Sequence, residues 1–295
     1  MLPSRIAVTT DFSAESRQAF APAAALAKKF SAELLLVHLA QMPPVVLSPW
    51  PEVGAYILPD DIYGAVEKRL VEMALTESAF AGLRVRPLVV RDESVEVLAD
   101  TLASEHVQLL VTPTHGYSGL KRFLLGSFAD RVIRAARCPV LVFRGDVKPD
   151  FEPRRVYVAH DFSVPGKAVL AVALDWARVF RAKVRLHFVV EQSASLYEYA
   201  SDMRDRFQDY LERVRGQALE RFGKLIREDW KGVEVEASAT VGQAAEEILR
   251  EAGEFEADLI VLGTHSRTVL ERVFLGSVAR KVVTGAPVPV LTIRG

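Results

Sequence analysis

Pro139-Val-Leu-Val-Phe-Arg-Gly145 returns 150 positions later as Pro289-Val-Leu-Thr-Ile-Arg-Gly295. A short apolar run bounded by proline and glycine reads as a buried strand, and its second copy decides the architecture. Working outward from it, Asp11-Phe-Ser recurs as Asp161-Phe-Ser, Thr114-His115 as Thr264-His265 and Gly126-Ser127 as Gly276-Ser277, every pair again 150 apart. Solenoid units run to about 20–50 residues, so a period of this length is a whole small domain. The sequence therefore predicts two copies of one domain, residues 1–146 and 152–295. They are joined within the polar stretch Asp146–Pro153, which carries two prolines.

In the first half, apolar β-branched runs near 5–10, 33–39, 84–90, 107–112 and 139–143 alternate with helical patterns near 14–29, 60–79, 94–105 and 127–136. The second half repeats the order. Alternation of this kind predicts right-handed βαβ crossovers and an α/β fold. Each half is then a flavodoxin-like, five-stranded parallel sheet with helices on both faces. The halves differ most at residues 43–59, where Pro43, Pro44, Pro49, Pro51 and Pro59 predict a long loop. The counterpart, Glu191–Ser201, has no proline and leads into a mixed-charge helical stretch near 202–228, with Met203, Phe207, Tyr210, Leu211 and Val214 as its apolar residues.

Thirty-seven basic residues against thirty-eight acidic ones leave a net charge of −1, which predicts no general attraction to nucleic acid or anionic membrane. The apolar stretches are too short to span a bilayer, and the first residues run straight into a strand pattern without a signal peptide. Cys138, the sole cysteine, excludes an intrachain disulfide, disfavours a thiolate metal site and reads as a small packed residue. A cytoplasmic protein with no metal centre is the expectation.

In a doubly wound sheet, ligands bind beyond the carboxyl ends of the strands where the crossover direction reverses, here after strands one and four. After Leu259-Ile-Val-Leu262 comes Gly263-Thr264-His265-Ser266, then nine residues, then Gly276-Ser277 opening a helix. The first half has Pro113-Thr-His-Gly116, nine residues, then Gly126-Ser127. This arrangement resembles the universal stress protein family, whose ATP-binding members carry Gly-x2-Gly-x9-Gly followed by Ser or Thr, and the resemblance covers nearly the whole chain twice. It implies an adenine nucleotide alpha hydrolase-like fold and a stress-response role. It also implies an ATP or AMP ligand, with or without Mg, whose phosphates meet backbone amides at the glycines and the helix N-terminus. Asp11 and Asp161 match the family aspartate associated with the adenosine moiety, and Gly242 matches a glycine beside the nucleotide.

Both halves depart from the pattern. Pro113 replaces the first glycine in the first half and removes a donor N–H, while Asp92 stands where the second half has Gly242. In the second half Ser266 replaces the second glycine but keeps its N–H. The second site, Asp161, Gly242, Gly263, Thr264, His265, Ser266, Gly276 and Ser277, is therefore the expected nucleotide site. Asp11, Gly116, Gly126 and Ser127 form a weaker one.

Plainer roles compete for the same residues. Gly276-Ser277 can be an ordinary helix start, Asp161 an Asx turn, Ser13 and Ser163 helix caps, and His115 and His265 solvated loop residues. His160 and His265 alone are too few for a metal site. With no P-loop lysine or water-activating carboxylate, at most slow ATP hydrolysis is expected. Adenylating chemistry would need a Ser-Gly-Gly-x-Asp-type loop, which Asp11-Phe-Ser-Ala-Glu15 and Asp161-Phe-Ser-Val-Pro165 do not supply. The alternative function is an interaction module with both pockets degenerate. Expected partners are adenine nucleotide, a protein still to be identified, and a pairing of the two halves through their apolar fifth strands, extending to a homodimer.

Overall fold

A computed structural model describes residues 2–40, 59–114, 125–143, 150–163, 166–191, 204–264 and 275–294. His115, Gly116, His265, Ser266 and the proline-rich stretch before Pro59 lie outside the described residues. The chain forms two compact units, one built mainly from Pro3–Phe151 and the other from Glu152–Gly295.

The first unit contains β1 (Arg5–Thr9), α1 (Ala14–Arg17), α2 (Phe20–Phe30), β2 (Glu33–Leu39), α3 (Pro59–Thr76), β3 (Val85–Val90), α4 (Val95–Ser104), β4 (Leu109–Pro113), α5 (Ser127–Ala135) and β5 (Val140–Phe143). The second contains β6 (Arg155–Ala159), α6 (Gly166–Phe180), β7 (Lys183–Glu191), α7 (Arg204–Asp229), β8 (Val235–Gly242), α8 (Ala244–Glu254), β9 (Leu259–Gly263), α9 (Ser277–Gly285) and β10 (Val290–Ile293).

Within the first unit the strands lie side by side as β3-β2-β1-β4-β5, and within the second as β8-β7-β6-β9-β10. All pairings within a unit are parallel. Ile6 lies between Leu34 and Leu109, and Val156 between Val184 and Leu259. The α/β class is as expected. The winding is 3-2-1-4-5, which differs from flavodoxin's own 2-1-3-4-5 in placing the third strand outside the second. Hydrophobic periodicity marks strands but not their neighbours, so the sequence alone does not separate the two orders. The direction still reverses beside the first strand, which keeps the loops after strands one and four at the crevice. Both central strands are sealed on two faces: Ile6, Ala7 and Val8, like Val156, Tyr157 and Val158, are consecutive and fully buried.

The backbone repeats more faithfully than the side chains. Positive φ angles occur at Phe12 and Phe162 (65° and 56°), Ser31 and Arg181 (56° and 50°), His106 and Glu256 (55° and 50°), and Gly82 and Gly232 (75° and 81°). Each pair is 150 residues apart, so the sharp turns of one unit are those of the other. The helix expected over residues 14–29 is interrupted after Arg17, whereas its counterpart α6 is continuous. Pro22 accounts for the difference: it has no N–H to offer the carbonyl of Gln18, so α2 begins afresh just before it. Position 172 holds valine and imposes no such break.

In α7 the buried residues are Leu211, Ala218 and Phe222, while Tyr210 is exposed. Tyr210 therefore belongs to the polar face rather than the apolar one its hydrophobicity suggested. No helix among the described residues is long and apolar enough to cross a membrane.

Candidate functional site

The turn after each first strand is built the same way. Phe12 and Phe162 take up the left-handed conformation, which costs a bulky residue energy and must be held by its surroundings. The next amide supplies one restraint: Ser163 N–H donates to Asp161 Oδ1 at 2.9 Å, and Ser13 N–H to Asp11 Oδ1 at 3.0 Å. The guanidinium of Arg221 over the Phe162 ring, at 5.5 Å, and of Arg69 over Phe12, at 4.3 Å, supplies another. Ser13 and Ser163 then cap the following helices, accepting from Ser16 N and Gly166 N at 3.1 and 3.2 Å. Both plainer roles proposed for these loops, Asx turn and serine cap, are thus realised.

The turn after each fourth strand is stapled shut at its base. Thr264 N–H bonds the carbonyl of Ile293 at 3.0 Å, and the Thr264 carbonyl accepts from Gly276 N at 2.9 Å. Thr114 repeats both bonds, to Phe143 and from Gly126, at 2.8 and 2.9 Å. This staple brings Gly276 and Gly126 to the ends of α9 and α5 as N-caps with φ of −54° and −60° and no side-chain cap. Neither glycine has a left-handed φ.

In the second unit these turns enclose a cleft of about 310 Å³ at the carboxyl ends of the strands. Asp161, Gly263, Thr264, Gly276 and Ser277 all line it. Gly242 does not line the cleft. It lies against Glu247, and a Cβ there would stand 2.8 Å from Glu247 Cγ. In the first unit Asp92 turns to its own helix, Oδ1 accepting from Ser94 N at 2.7 Å.

The cleft also contains Gly166, His187, Phe188 and Glu191, which motif reading missed, and His160, which it weighed only as a metal ligand beside His265. His160 is buried, and its Nδ1 accepts from Phe162 N at 3.1 Å, which places the proton of the neutral ring on Nε2. His187 is also buried, and desolvation is the largest influence in bringing its pKa down to about 4. Comparing the halves position by position would have exposed both, because Thr10 and Val37 stand where His160 and His187 do. The first turn of α9 differs too: Arg280 occupies the position of Asp130, which sits in the first turn of α5 and pairs with Arg134 at 2.9 Å. A carboxylate at a helix start disfavours a second anion there, whereas an arginine does not.

Elsewhere, burial pushes the Cys138 thiol up to about 12, consistent with an unreactive packed residue.

The universal stress protein family model matches residues 3–144 and again residues 152–294. The chain belongs to the universal stress protein family. By that membership it is a stress-response protein, in the tandem form with two family domains in one chain. It is 29% identical over 297 residues to a universal stress protein of Mycolicibacterium smegmatis, an alignment covering 98% of this chain and 96% of the relative. A universal stress protein of Methanocaldococcus jannaschii is 35% identical over 122 residues, 41% of this chain and 71% of the relative. In fold, the chain is similar to a universal stress protein from Archaeoglobus fulgidus with a TM-score of 0.67 at 23% identity, covering 98% and 96% of the two chains.

Proposed function

We propose that the second unit binds an adenine nucleotide, ATP or AMP, as a conformational or signalling ligand in the stress response. The observation carrying this reading is the division of labour within one cleft. The Asp161 carboxylate follows β6 and can accept from ribose hydroxyls or the adenine amino group. The start of α9 at Ser277, which has no side-chain cap, lies towards the β9–α9 side, where phosphates are favoured. The cleft volume of about 310 Å³ is at the lower end of the range for small-molecule sites. Any Mg would arrive with the triphosphate. The first unit is the poorer candidate because Pro113 lacks a donor and Asp130 opens α5.

One observation favours the alternative of an interaction module that takes no nucleotide. Asp161 Oδ1 is already engaged by Ser163, and Gly276 N–H by Thr264. Isothermal titration of the full chain with ATP and with AMP separates the two readings. Ser277→Glu places a carboxylate beside the proposed phosphates while suiting the helix dipole, so the helix survives. It is expected to weaken binding about tenfold or more through charge repulsion, and Ser127→Glu is expected to leave affinity unchanged. An absence of binding heat for both nucleotides supports the module. Loss in Ser127→Glu alone assigns the nucleotide to the first unit.

A further inference from the structure

Ala7, Val37, Val90, Asp92 and Val97 stand 150 residues before Tyr157, His187, Thr240, Gly242 and Glu247. The first three are buried and apolar, whereas their counterparts in the second unit form a hydrogen-bonded chain. At one end the Glu247 carboxylate is held by Arg250 at 2.7 Å and bonded by the Thr240 hydroxyl. Having donated its proton to Glu247, Thr240 Oγ1 accepts from His187 Nε2 at 2.9 Å, which leaves His187 Nδ1 to accept from the Tyr157 hydroxyl. Every donor points toward the carboxylate. Gly242 makes the arrangement possible, since a Cβ there would meet Glu247 Cγ at 2.8 Å.

The chain ties α8 to β8, β7 and β6, and His187, Ala244 and Ile248 line the cleft beside it. It accommodates only a neutral imidazole. A second ring proton on Nδ1 would face the Tyr157 hydroxyl, which would lose its acceptor at a position where Tyr157 is 0% and His187 1% exposed.

The titratable and charged groups around His187 among the described residues are Arg185 on its own strand, Glu236 on β8, Glu247, Arg250 and Glu251 on α8, and Asp161, His160 and Glu191 along the cleft. Glu247 favours a proton on His187 while Arg250 and Arg185 oppose it. Burial, the largest influence, acts with the two arginines against Glu247 and lowers the pKa to about 4.

We infer that Tyr157, His187, Thr240 and Glu247 form an acid-sensitive latch closing α8 and β8 against β7, and that proton uptake by His187 opens this wall of the second cleft. The latch does not depend on which ligand the cleft takes.

The test is hydrogen exchange of the full, ligand-free chain from pH 7 to pH 5, corrected for intrinsic rates and read on peptides of β8 and α8. With His187 near 4 when closed and near its free value of about 6.5 when open, the open population is expected to rise, relative to pH 7, about eightfold by pH 5.5 and about twentyfold by pH 5. Peptides of β3 and α4, where Val90 and Val97 stand instead, are expected to stay flat. His187→Gln keeps a donor and an acceptor but cannot titrate, and it should abolish the rise. The apolar triple variant Y157F/H187V/T240V should abolish it as well, which covers the case in which His187→Gln fails to fold. A flat wild-type response, or the same rise in either folded variant, overturns the inference.

Discussion

Gly166→Ser is expected to destabilise the second unit by about 2–3 kcal/mol, the upper part of the range for overpacking. By helix propensity alone the change should be favourable by roughly half a kcal/mol, so the sign of the result tells sterics from propensity. A Cβ on Gly166 would stand 2.6 Å from His160 Nε2, 3.0 Å from its Cδ2 and 3.3 Å from Asp161 Oδ1. A side chain with room to move would swing aside, but this imidazole has none. Its Nδ1 is bonded by Phe162 N at 3.1 Å, and its ring lies edge-on to Phe162 at 5.0 Å and beside Phe222 at 6.1 Å. Gly166 is anchored too, through its N–H to Ser163 Oγ. The loss would be read by urea-dependent hydrogen exchange on second-unit peptides, which avoids treating two units as one transition.

The first unit supplies the rescue. Thr10 and Ser16 stand where His160 and Gly166 do, and Thr10 Oγ1 accepts from Phe12 N at 3.0 Å just as His160 Nδ1 accepts from Phe162 N. Ser16 Oγ then bonds Thr10 Oγ1 at 3.0 Å, in the space the imidazole fills in the second unit. The double variant H160T/G166S transplants that pair and is expected to recover most of the loss, with a coupling of about 1.5 kcal/mol or more. Strictly additive effects would mean that His160 and Gly166 are not a matched pair.

This pair also marks where sequence reading stops. The spacing of 150 residues, the strand runs and the Asp, Thr and Gly-Ser positions of the crevice loops were legible because each rests on local chemistry or on a repeat. Gly166 carried no motif, and its reason for being glycine lies in the His160 ring across the turn. Gly242 was read, through the family resemblance, as a glycine beside the nucleotide, but its close neighbour is Glu247 and it does not line the cleft. His187 was hidden in an apolar strand pattern, since periodicity records which residues face inward and not that Tyr157 and Thr240 wait there to bond it. The interruption before Pro22 was legible in principle, because proline forbids that helical bond whatever the tertiary context.

Phe255→Ala is expected to cost about 3–5 kcal/mol, as large-to-small changes at buried aromatics do. Its ring is 0% exposed and carries two guanidinium groups, Arg155 at 4.6 Å and Arg185 at 4.7 Å, while its carbonyl accepts from Arg155 Nε at 2.5 Å. Truncation removes the apolar core contact and the shared face of both cations at once. The first unit meets the same need with charge: Glu105 stands at the corresponding position and pairs with Arg86 and Arg5. That cluster is about a third exposed, so Glu105→Ala is expected to cost no more than about 1 kcal/mol. Exchange-derived stabilities of the two units would show the contrast, and equal losses would mean that the aromatic platform adds nothing beyond an ion pair. Phe255 lies at the amino-terminal ends of β6 and β9, opposite the cleft, so the folded fraction of Phe255→Ala is expected to match the wild type in the proposed nucleotide titration. A fall in affinity there would mean that the two ends of the second sheet are energetically coupled.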